Sequence, residues 1–367
     1  MSETLRVKRR HFLVGAGGTA IVTATGATIP FSAANASEHE NGLPEYTNWK
    51  RPDAMIVHTD QTLETERDAI GAGVVTPNNV LFVRNNLAPP SDDIVADRDA
   101  WEVEIDGVAE PMTRTLGELK GIGMDTVATV LQCSGNGRGF FDHEASGAPW
   151  RTGAAGCVIW TGIPVRDVVE AHGGAIDSAR FMTGTGGEDL PEGIDRDDIV
   201  VERSVPKEAM ENAILAYEMN GEPIPLAHGG PLRLVVPGYY GVNNIKYIRR
   251  LAFTEEETTA NIQTSGYRVR PVGESGAPDQ PSMWEMKVKS WVTHPVMDNA
   301  SGRVHVYGVA FGGTNPVESV EVSLDDGETW EEARLIGPDL GDHAWRTFVL
   351  AADYAGWDRL AVNVTVS

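Results

Sequence analysis

A single cysteine stands in a turn whose residue types could bind a metal. The stretch Leu131-Gln132-Cys133-Ser134-Gly135-Asn136-Gly137-Arg138 sets a thiol before two glycines and an arginine. A thiolate is a strong ligand for soft or borderline metals, glycine lets the backbone approach a bulky ligand closely, and a guanidinium offers planar donors to an oxyanion. The pattern therefore predicts that Cys133 binds a metal that faces an anion. The alternative is a buried cysteine that acts only as a small apolar residue.

That stretch and five other segments resemble, in the same order along the chain, the sulfite oxidase family of molybdopterin-dependent oxidoreductases. The other five are Leu81-Phe82-Val83-Arg84-Asn85-Asn86, Trp150-Arg151-Thr152-Gly153-Ala154, Leu215-Ala216-Tyr217-Glu218-Met219-Asn220-Gly221, the run from His228 to Gly238, and Val322-Ser323-Leu324-Asp325-Asp326-Gly327-Glu328-Thr329-Trp330. The last of these resembles the family's C-terminal dimerisation domain, which implies a homodimer. The resemblance as a whole implies a molybdenum-molybdopterin cofactor with Cys133 as the metal ligand.

The resemblance also implies roles for individual side chains. Arg84 and Arg138 match the family's substrate-facing arginines, Tyr267 matches its active-site tyrosine, and Trp150 matches a tryptophan that lines the pocket. The positions that match cofactor-binding residues are Asn86, Asp167, His228, Arg233 and Lys246. Such cations and hydrogen-bonding groups suit a ligand that carries a phosphate and a polar ring system.

A few positions depart from the family pattern. Asn86 stands where sulfite oxidases usually have histidine, Ser146 stands where the vertebrate pattern has lysine, and Gly266 replaces an acidic residue beside the matching tyrosine. An arginine that full-length relatives contribute from a C-terminal tail has no counterpart after the strand-like Ala361-Val362-Asn363-Val364-Thr365-Val366-Ser367. These departures leave the cofactor implied and the identity of the substrate open.

Three functions are compatible with these motifs. The first is oxidation of sulfite to sulfate with transfer of electrons to an external carrier; the second is reduction of a sulfoxide or another oxyanion at the same cofactor. The third is a non-catalytic secreted binding protein built on a β-sandwich. An external carrier is expected because the sequence has no Cys-x-x-Cys-His segment for covalent haem, and its two cysteines are too few for an iron-sulfur cluster.

The two cysteines are not expected to form a disulfide, although two cysteines in an exported protein would ordinarily suggest one. Cys133 is needed as a ligand if the resemblance holds. Cys157 lies in the apolar stretch Ala154-Ala155-Gly156-Cys157-Val158-Ile159-Trp160, where a buried thiol is the expected state.

The charge of the chain limits its partners. Asp and Glu total 53 against 30 Lys and Arg, of which seven are lysine, and the formal net charge is -23. So acidic a surface argues against nucleic acid and against an anionic membrane surface as partners. Plain solubility is one interpretation of this charge. We favour adaptation to high salt, where screening removes the self-repulsion of the folded chain.

The first residues predict export. Lys8-Arg9-Arg10-His11-Phe12-Leu13 precedes an apolar, small-residue stretch that runs from Val14 to Ala34. This pattern is typical of a twin-arginine signal with cleavage after Ala34-Asn35-Ala36. A membrane anchor is the alternative, but Gly, Ala and Thr dominate the stretch, and these residues make a poor permanent span. We therefore expect a periplasmic or extracellular protein.

The elements that must position the site follow a mixed pattern, and the predicted fold class is α+β. Residues 1–36 are predicted as the signal peptide, 37–258 as a sulfite-oxidase-type molybdopterin-binding catalytic domain, 259–281 as a linker or active-site loop, and 282–367 as an immunoglobulin-like β-sandwich of the dimerisation type. Within the catalytic domain, the polar residues 37 to about 75 are expected to wrap the surface.

Two helices can be placed from local signals. Thr115-Leu116-Gly117-Glu118-Leu119 has the residues of a helix start, and a helix is predicted between Pro164 and the pair Gly173-Gly174. From Trp284 onward, short strands recur without a helical pattern. The segment from Tyr217 to Asn220 is expected to be the end of a strand with a structural role.

Overall fold

Two regions of different architecture follow one another along the chain, which is described here from a computed structural model. The model describes residues 42–71, 73–143, 145–353 and 360–366. The N-terminal region comprises the described residues up to 281, and the C-terminal region comprises those from 282. The predicted export signal at residues 1–36 lies outside the described residues and stays a prediction. Within the described part of the chain, no helix has both the length and the apolar composition for crossing a membrane.

Strands dominate both regions. The strands are β1 (Met55–Thr59), β2 (Thr62–Thr65), β3 (Val83–Arg84), β4 (Glu102–Asp106), β5 (Met112–Thr115), β6 (Asp125–Gln132), β7 (Ala155–Pro164), β8 (Phe181–Thr185), β9 (Glu202–Pro206), β10 (Ile214–Met219), β11 (Glu222–Pro223), β12 (Arg233–Val235), β13 (Arg250–Thr254), β14 (Lys289–Asp298), β15 (Arg303–Phe311), β16 (Val317–Ser323), β17 (Glu331–Glu332), β18 (Arg334–Ile336), β19 (Arg346–Asp353) and β20 (Ala361–Val366). The α-helices are α1 (Leu116–Leu119), α2 (Val165–Ala171), α3 (Arg196–Ile199) and α4 (Asn261–Thr264). Short 3-10 helices lie at Glu45–Thr47, Pro52–Ala54, Arg67–Ala69, Asp92–Val95, Arg98–Ala100, Arg138–Phe140, Lys207–Glu211, Leu226–His228 and Gly241–Asn243.

The N-terminal region contains three sheets that hold the candidate site. One has the order β11-β10-β7-β6, with β12 paired to β10, and another has the order β5-β4-β13-β8-β9. A small antiparallel sheet, β1-β2-β3, precedes them in the chain. β6 and β7 are antiparallel over the whole length of β6, so that Gln132 lies opposite Ala155. The end of β6 therefore delivers Cys133 to the edge of this sheet.

Both predicted helices are present. At α1, Thr115 and Glu118 form a reciprocal capping box: the Glu118 amide donates to Thr115 Oγ1 at 3.2 Å and the Thr115 amide to Glu118 Oε2 at 2.8 Å. Such boxes satisfy backbone donors that a helix start leaves free. α2 begins directly after Pro164, and the chain then reverses at Gly173 and Gly174, which both have positive φ. These local signals confirm the two predictions.

The C-terminal region is a two-sheet sandwich, as predicted. The sheet β14-β15-β19-β18 faces the smaller sheet β17-β16-β20. Val304 and Val306 of the first sheet belong to the same buried cluster as Val320 and Val322 of the second. The described residues from 284 onward contain no helix. The α+β fold with a terminal β-sandwich is therefore confirmed.

The expectation that residues 37 to about 75 wrap the surface is wrong for the described part of that segment. Leu43 and Leu63 are buried in a cluster with Val83, and the polar side chains of Lys50 and Glu64 are buried as well. The polar composition misled the prediction because these side chains have internal partners. Glu64 accepts hydrogen bonds from the amides of Arg151 at 2.8 Å and Gly153 at 2.9 Å, and a buried carboxylate is stable only with such partners.

Candidate active site

Cys133 lies in a tight turn at the end of β6 and is almost fully buried, with 8% of its surface exposed. Its amide donates to the Ala154 carbonyl at 2.9 Å, and its carbonyl accepts from the Asn136 amide at 2.9 Å. Gly137 has φ 96°, a left-handed conformation that glycine adopts without steric cost. The turn thus fixes the backbone on both sides of the thiol. Cys133 and Cys157 are both free, as predicted, and burial raises the pKa of Cys157 to about 12.

A cavity opens beside this turn, with about 640 Å³ of empty space when the open solvent at its mouth is included. Chain segments that are distant in sequence meet around it. Its lining residues are Phe82, Arg84, Asn85, Asn86, Leu131, Cys133, Ser134, Glu188, Val201, His228, Arg233, Gly241, Val242, Asn244, Lys246 and Tyr267. The structure therefore brings together Cys133 and six other residues that the sequence had singled out: Arg84, Asn86, His228, Arg233, Lys246 and Tyr267.

The cavity is strongly cationic. Arg84, Arg233 and Lys246 line it, and none of them forms an ion pair with a described carboxylate. Glu188 is the single carboxylate among the described lining residues, and burial raises its pKa to about 7. Burial also lowers the pKa of Lys246 well below its ordinary value and that of Arg233 to about 10. Three basic side chains without an ion-paired carboxylate suit an anionic ligand, which would compensate their charge and favour their protonated forms.

Lys50 contacts His228, which lines this cavity. It was not singled out from the sequence. Its side chain is buried, and its ammonium lies 2.6 Å from the Leu81 carbonyl, 2.9 Å from the Asn78 carbonyl and 3.0 Å from His228 Nε2. An ammonium has three N–H donors and no acceptor. Three acceptors around Lys50 therefore satisfy all three donors and leave His228 Nε2 as the accepting nitrogen.

His228 consequently presents its other ring nitrogen, Nδ1, as the donor when the ring is neutral. Complete burial lowers the pKa of His228 well below its ordinary value, and the charges of Lys50, Lys246 and Arg233 lower it further. The following residue, Gly229, has φ 100°, and a Cβ there would lie 2.7 Å from the Cβ of Lys246. Glycine is thus required for the chain to pass between His228 and Lys246.

Some buried polar atoms of the cavity have no partner within the described protein. They are Ser134 Oγ and Arg233 Nε. The other nitrogens of Arg233 are bound, since Nη1 donates to the His228 carbonyl at 2.9 Å and Nη2 to the Asn244 carbonyl at 3.2 Å. Buried polar groups are almost always hydrogen-bonded. These two atoms therefore point to a polar ligand between the Cys133 turn and β12.

Tyr267 approaches the cavity from the segment that links the two regions. Its backbone has φ 49°, an uncommon conformation for a non-glycine residue that clusters at functional sites. The Tyr267 hydroxyl lies 3.5 Å from Asn86 Oδ1, which also accepts from Arg84 Nη2 at 2.8 Å. The buried guanidinium of Arg203 lies over the Tyr267 ring, 5.9 Å from the ring centroid. Arg84, Asn86 and Tyr267 thus form one polar group at the cavity.

Three predicted site residues are not brought to the cavity. Arg138 Nη1 instead donates to the Ala148 carbonyl at 3.2 Å. Trp150 lies behind Phe82, with ring centroids 6.2 Å apart, so Phe82 and not Trp150 lines the cavity. Asp167 lies on α2, half-buried beside Arg166 at 3.5 Å. The matched motifs located the right loops, but the direction of each side chain depends on its neighbours in the fold.

Four polar lining residues, Asn85, Ser134, Glu188 and Asn244, were missed from the sequence, as was Lys50, which contacts the lining residue His228. Glu188 follows the pair Gly186-Gly187 after β8, and a glycine pair at the end of a strand was an available signal of close backbone approach. The Asn85 side-chain oxygen accepts a hydrogen bond from Lys246 Nζ at 2.5 Å. Asn85 lies inside the segment from Leu81 to Asn86 that resembles the family. Lys50 had no comparable signal because its partners are far away in the sequence.

Two family models match consecutive parts of the chain. A model of the oxidoreductase molybdopterin-binding domain matches residues 89–262, and a model of the Mo-co oxidoreductase dimerisation domain matches residues 280–367. The first range includes the Cys133 turn and most of the cavity. Lys50 and the segment from Arg84 to Asn86 precede it.

Similar proteins include mitochondrial sulfite oxidase of Mus musculus, which is 33% identical over 82% of this chain and 58% of its own length. Sulfite oxidase of Gallus gallus is 32% identical over 75% of this chain and 61% of its own length. The chain thus spans little more than half the length of these relatives. A nitrate reductase [NAD(P)H] of Hordeum vulgare is 32% identical over 73% of this chain and 32% of its own length.

Among solved structures, the sulfane dehydrogenase SoxCD from Paracoccus pantotrophus superposes with a TM-score of 0.70. The superposition covers 94% of this chain and 85% of that chain. Because the two sequences are 23% identical, the likeness is one of fold.

Proposed function

The chain belongs to the sulfite oxidase family of molybdopterin-binding oxidoreductases, and from that premise we propose that it is an enzyme that oxidises sulfite to sulfate. The reaction consumes one sulfite and one water and releases sulfate, two protons and two electrons. When bound, the molybdenum-molybdopterin cofactor of the family supplies the two-electron acceptor. The observation that carries the proposal is a buried thiol, Cys133, at the wall of a cavity lined by cations that lack carboxylate partners.

The residues of the cavity fit this cofactor. Cys133 offers the soft ligand that molybdenum would require, and the unpaired Ser134 Oγ and Arg233 Nε offer hydrogen bonds to a polar ring system. Lys246 and Arg233 offer positive charge, and the neutral His228 ring offers an N–H donor, to the phosphate of the cofactor. These residues would hold the cofactor. The negative charge of the cofactor would in turn compensate the positive charges of Lys246 and Arg233, which have no carboxylate ion-pair partner among the described residues.

Arg84, Asn86 and Tyr267 would bind the substrate. A guanidinium and a phenol hydroxyl can both donate to the oxygens of sulfite, and charge-assisted hydrogen bonds of this kind are short and strong. Asn86 Oδ1 accepts from Arg84 at 2.8 Å, which orients the guanidinium before an anion arrives. Such preorganisation reduces the cost of ordering a charged side chain during binding.

A second candidate is reduction of an oxyanion at the same cofactor. The observation that favours it is the nitrate reductase of Hordeum vulgare, whose identity to this chain, 32%, is close to that of the sulfite oxidases. A cationic cavity suits either anion, so charge alone does not distinguish them. The identity of the anion therefore needs a turnover experiment. A non-catalytic binding protein, the third function open from the sequence, has no support from the family match.

We further propose that the protein forms a homodimer and passes electrons to an external carrier. The dimerisation-domain match over residues 280–367 supports the dimer. The proposed carrier would accept the two electrons that the reaction releases, since the two cysteines of the printed sequence are too few for an iron-sulfur cluster.

Export by the twin-arginine route completes the proposal. The support is the sequence Lys8-Arg9-Arg10 before a weakly apolar stretch. A receptor reads the arginine pair, so mere positive charge does not replace it. Replacement of Arg9 and Arg10 with lysine should therefore leave the precursor in the cytoplasm in a cell-fractionation experiment. Normal export of the double-lysine form would contradict this route.

The metal ligand is tested by exchanging sulfur for oxygen at each cysteine. Cys133→Ser should lose most of the bound molybdenum and the charge-transfer absorption of the purified protein, because a hydroxyl is a weaker ligand than a thiolate. Cys157→Ser is the matched control, since Cys157 is buried in an apolar cluster away from the cavity. Elemental analysis and visible spectra measure both effects. Full molybdenum content and an unchanged spectrum in Cys133→Ser would remove the basis of the proposal.

A further inference from the structure

The C-terminal region places a lysine on the Cys133 turn. Lys289 is the first residue of β14, and its ammonium donates to the Asn136 carbonyl at 2.9 Å. Asn136 in turn binds the two strands that flank the thiol: its amide donates to the Cys133 carbonyl at 2.9 Å, and its Oδ1 accepts from the Ala154 amide at 3.1 Å. Lys289 thus contacts the residue that closes the Cys133 turn, across the boundary between the two regions.

The C-terminal region also holds the strand that leads into the turn. The Val130 amide of β6 donates to the His343 carbonyl at 2.8 Å, and Trp345 Nε1 donates to the Val74 carbonyl at 2.6 Å. Val130, Trp291 and Trp345 belong to a single buried cluster drawn from both regions. Cys133 is therefore flanked by contacts from the C-terminal region three residues before it and three residues after it.

The charge of Lys289 has no other evident use. No described carboxylate forms an ion pair with it. Its ammonium is instead hydrogen-bonded to the Asn136 carbonyl, on the turn that carries Cys133, and although burial lowers the pKa of Lys289, Cys133 acts on that pKa in the opposite direction. Lys287, two residues earlier, is exposed. A half-buried cation without a carboxylate ion pair, hydrogen-bonded to the turn that carries a thiol, needs an explanation in terms of that turn.

We propose that Lys289 is a positioning residue of the metal site, which acts through Asn136 and Cys133 and supplies a positive charge from the C-terminal region to the metal ligand. The proposal rests on Cys133 as the metal ligand. Groups just outside the ligands orient them and tune the metal. A nearby positive charge stabilises whichever state of the centre is more negative, which is the reduced state. Lys289 should therefore raise the reduction potential of the centre.

The experiment separates charge from hydrogen bonding at this position. Lys289→Gln removes the charge and keeps a donor, Lys289→Arg keeps the charge, and Lys287→Met is the control on the exposed neighbour. Molybdenum content is measured first, and the one-electron couple of the metal is then followed by a redox titration monitored by electron paramagnetic resonance. In Lys289→Gln, the ratio of reduced to oxidised metal at a fixed potential should fall by about tenfold, which is ~59 mV for a one-electron couple. Lys289→Arg and Lys287→Met should stay within about threefold of the wild type by the same conversion.

Each outcome decides the proposal. A metal-loaded Lys289→Gln protein with the wild-type potential would overturn it, because a purely structural contact would survive in the amide. Failure of both Lys289→Gln and Lys289→Arg to bind metal would also overturn it, since a charge role would spare the arginine form. Failure of Lys289→Gln alone would support it. A wild-type protein without molybdenum would instead refute the proposed function itself.

Discussion

The two arginines that match the family's substrate-facing positions have different hydrogen-bond partners, and this difference predicts different roles. Arg84 shares Asn86 with the Tyr267 hydroxyl at the cavity, whereas Arg138 donates to the Ala148 carbonyl outside it. We expect Arg84→Gln to lower kcat/KM for sulfite by about thirtyfold or more, mainly through KM, because truncation of a charge-pair partner costs ~2 kcal/mol or more. Arg138→Gln should have the smaller effect. Steady-state kinetics on metal-loaded proteins measures both.

The matched control for these arginines is Arg151→Gln, since Arg151 is exposed in the neighbouring loop. Its kinetics should equal those of the wild type. A larger loss in Arg138→Gln than in Arg84→Gln would show that the guanidinium of Arg138 and not that of Arg84 meets the substrate.

Glu188 predicts a pH dependence of stability. Burial raises its pKa to about 7, so between the unfolded value near ~4.3 and about 7 the native protein binds more protons than the unfolded chain. The free energy of unfolding of the cofactor-free protein should therefore fall as pH rises through this window. In Glu188→Gln, the free energy of unfolding should decrease by ~2–3 kcal/mol less over this pH window than in the wild type, since each pKa unit corresponds to ~1.4 kcal/mol.

Denaturant unfolding of both proteins at pH 5 and pH 7.5 measures the difference. Because other groups titrate in the same window, the comparison uses the change between the two pH values in each protein. An equal change in the wild type and in Glu188→Gln would show that the buried carboxyl does not hold a proton in the folded state.

Among the secondary-structure elements, those that depend on residues close together in the sequence could be predicted from the sequence. The capping box of α1 and the Pro164 to Gly173 limits of α2 depend on neighbours within a few residues, and sequence could place both. The alternation of buried and exposed positions in β15 likewise identified the sandwich. The Cys133 turn could also be predicted, because its glycines and its thiol lie close together in the sequence.

Elements whose environment is set by distant segments could not be predicted. The segment before β1 is polar in composition, yet Lys50 is buried because its acceptors at Asn78, Leu81 and His228 come from elsewhere in the chain. Trp150 was assigned to the pocket by its motif, but Phe82, whose ring contacts it, lines the cavity and Trp150 does not. The motifs therefore brought most of the predicted side chains to the cavity lining, whereas their orientation depends on neighbours that are distant in the sequence.

At the scale of the whole molecule, charge is divided between inside and outside. The formal net charge is -23, yet Lys50, Arg203, Arg233 and Arg268 are buried in the described structure. The surface is therefore more acidic than the net charge suggests, and the cavity is the opposite in sign. Adaptation to high salt stays a prediction from composition. The cationic interior draws small anions toward the site, because clefts lined by one sign of charge concentrate the opposite one.

The C-terminal region contacts the Cys133 turn and the strand before it, and the proposed function of the site is tested most directly by electron stoichiometry. Metal-loaded protein is mixed with limiting sulfite and an excess of a one-electron acceptor, and Cys133→Ser serves as the control. The account predicts two acceptor molecules reduced and one sulfate formed for each sulfite consumed by the wild type, with only background reduction in Cys133→Ser. Absence of sulfite-dependent acceptor reduction by a wild type that contains molybdenum would contradict the account.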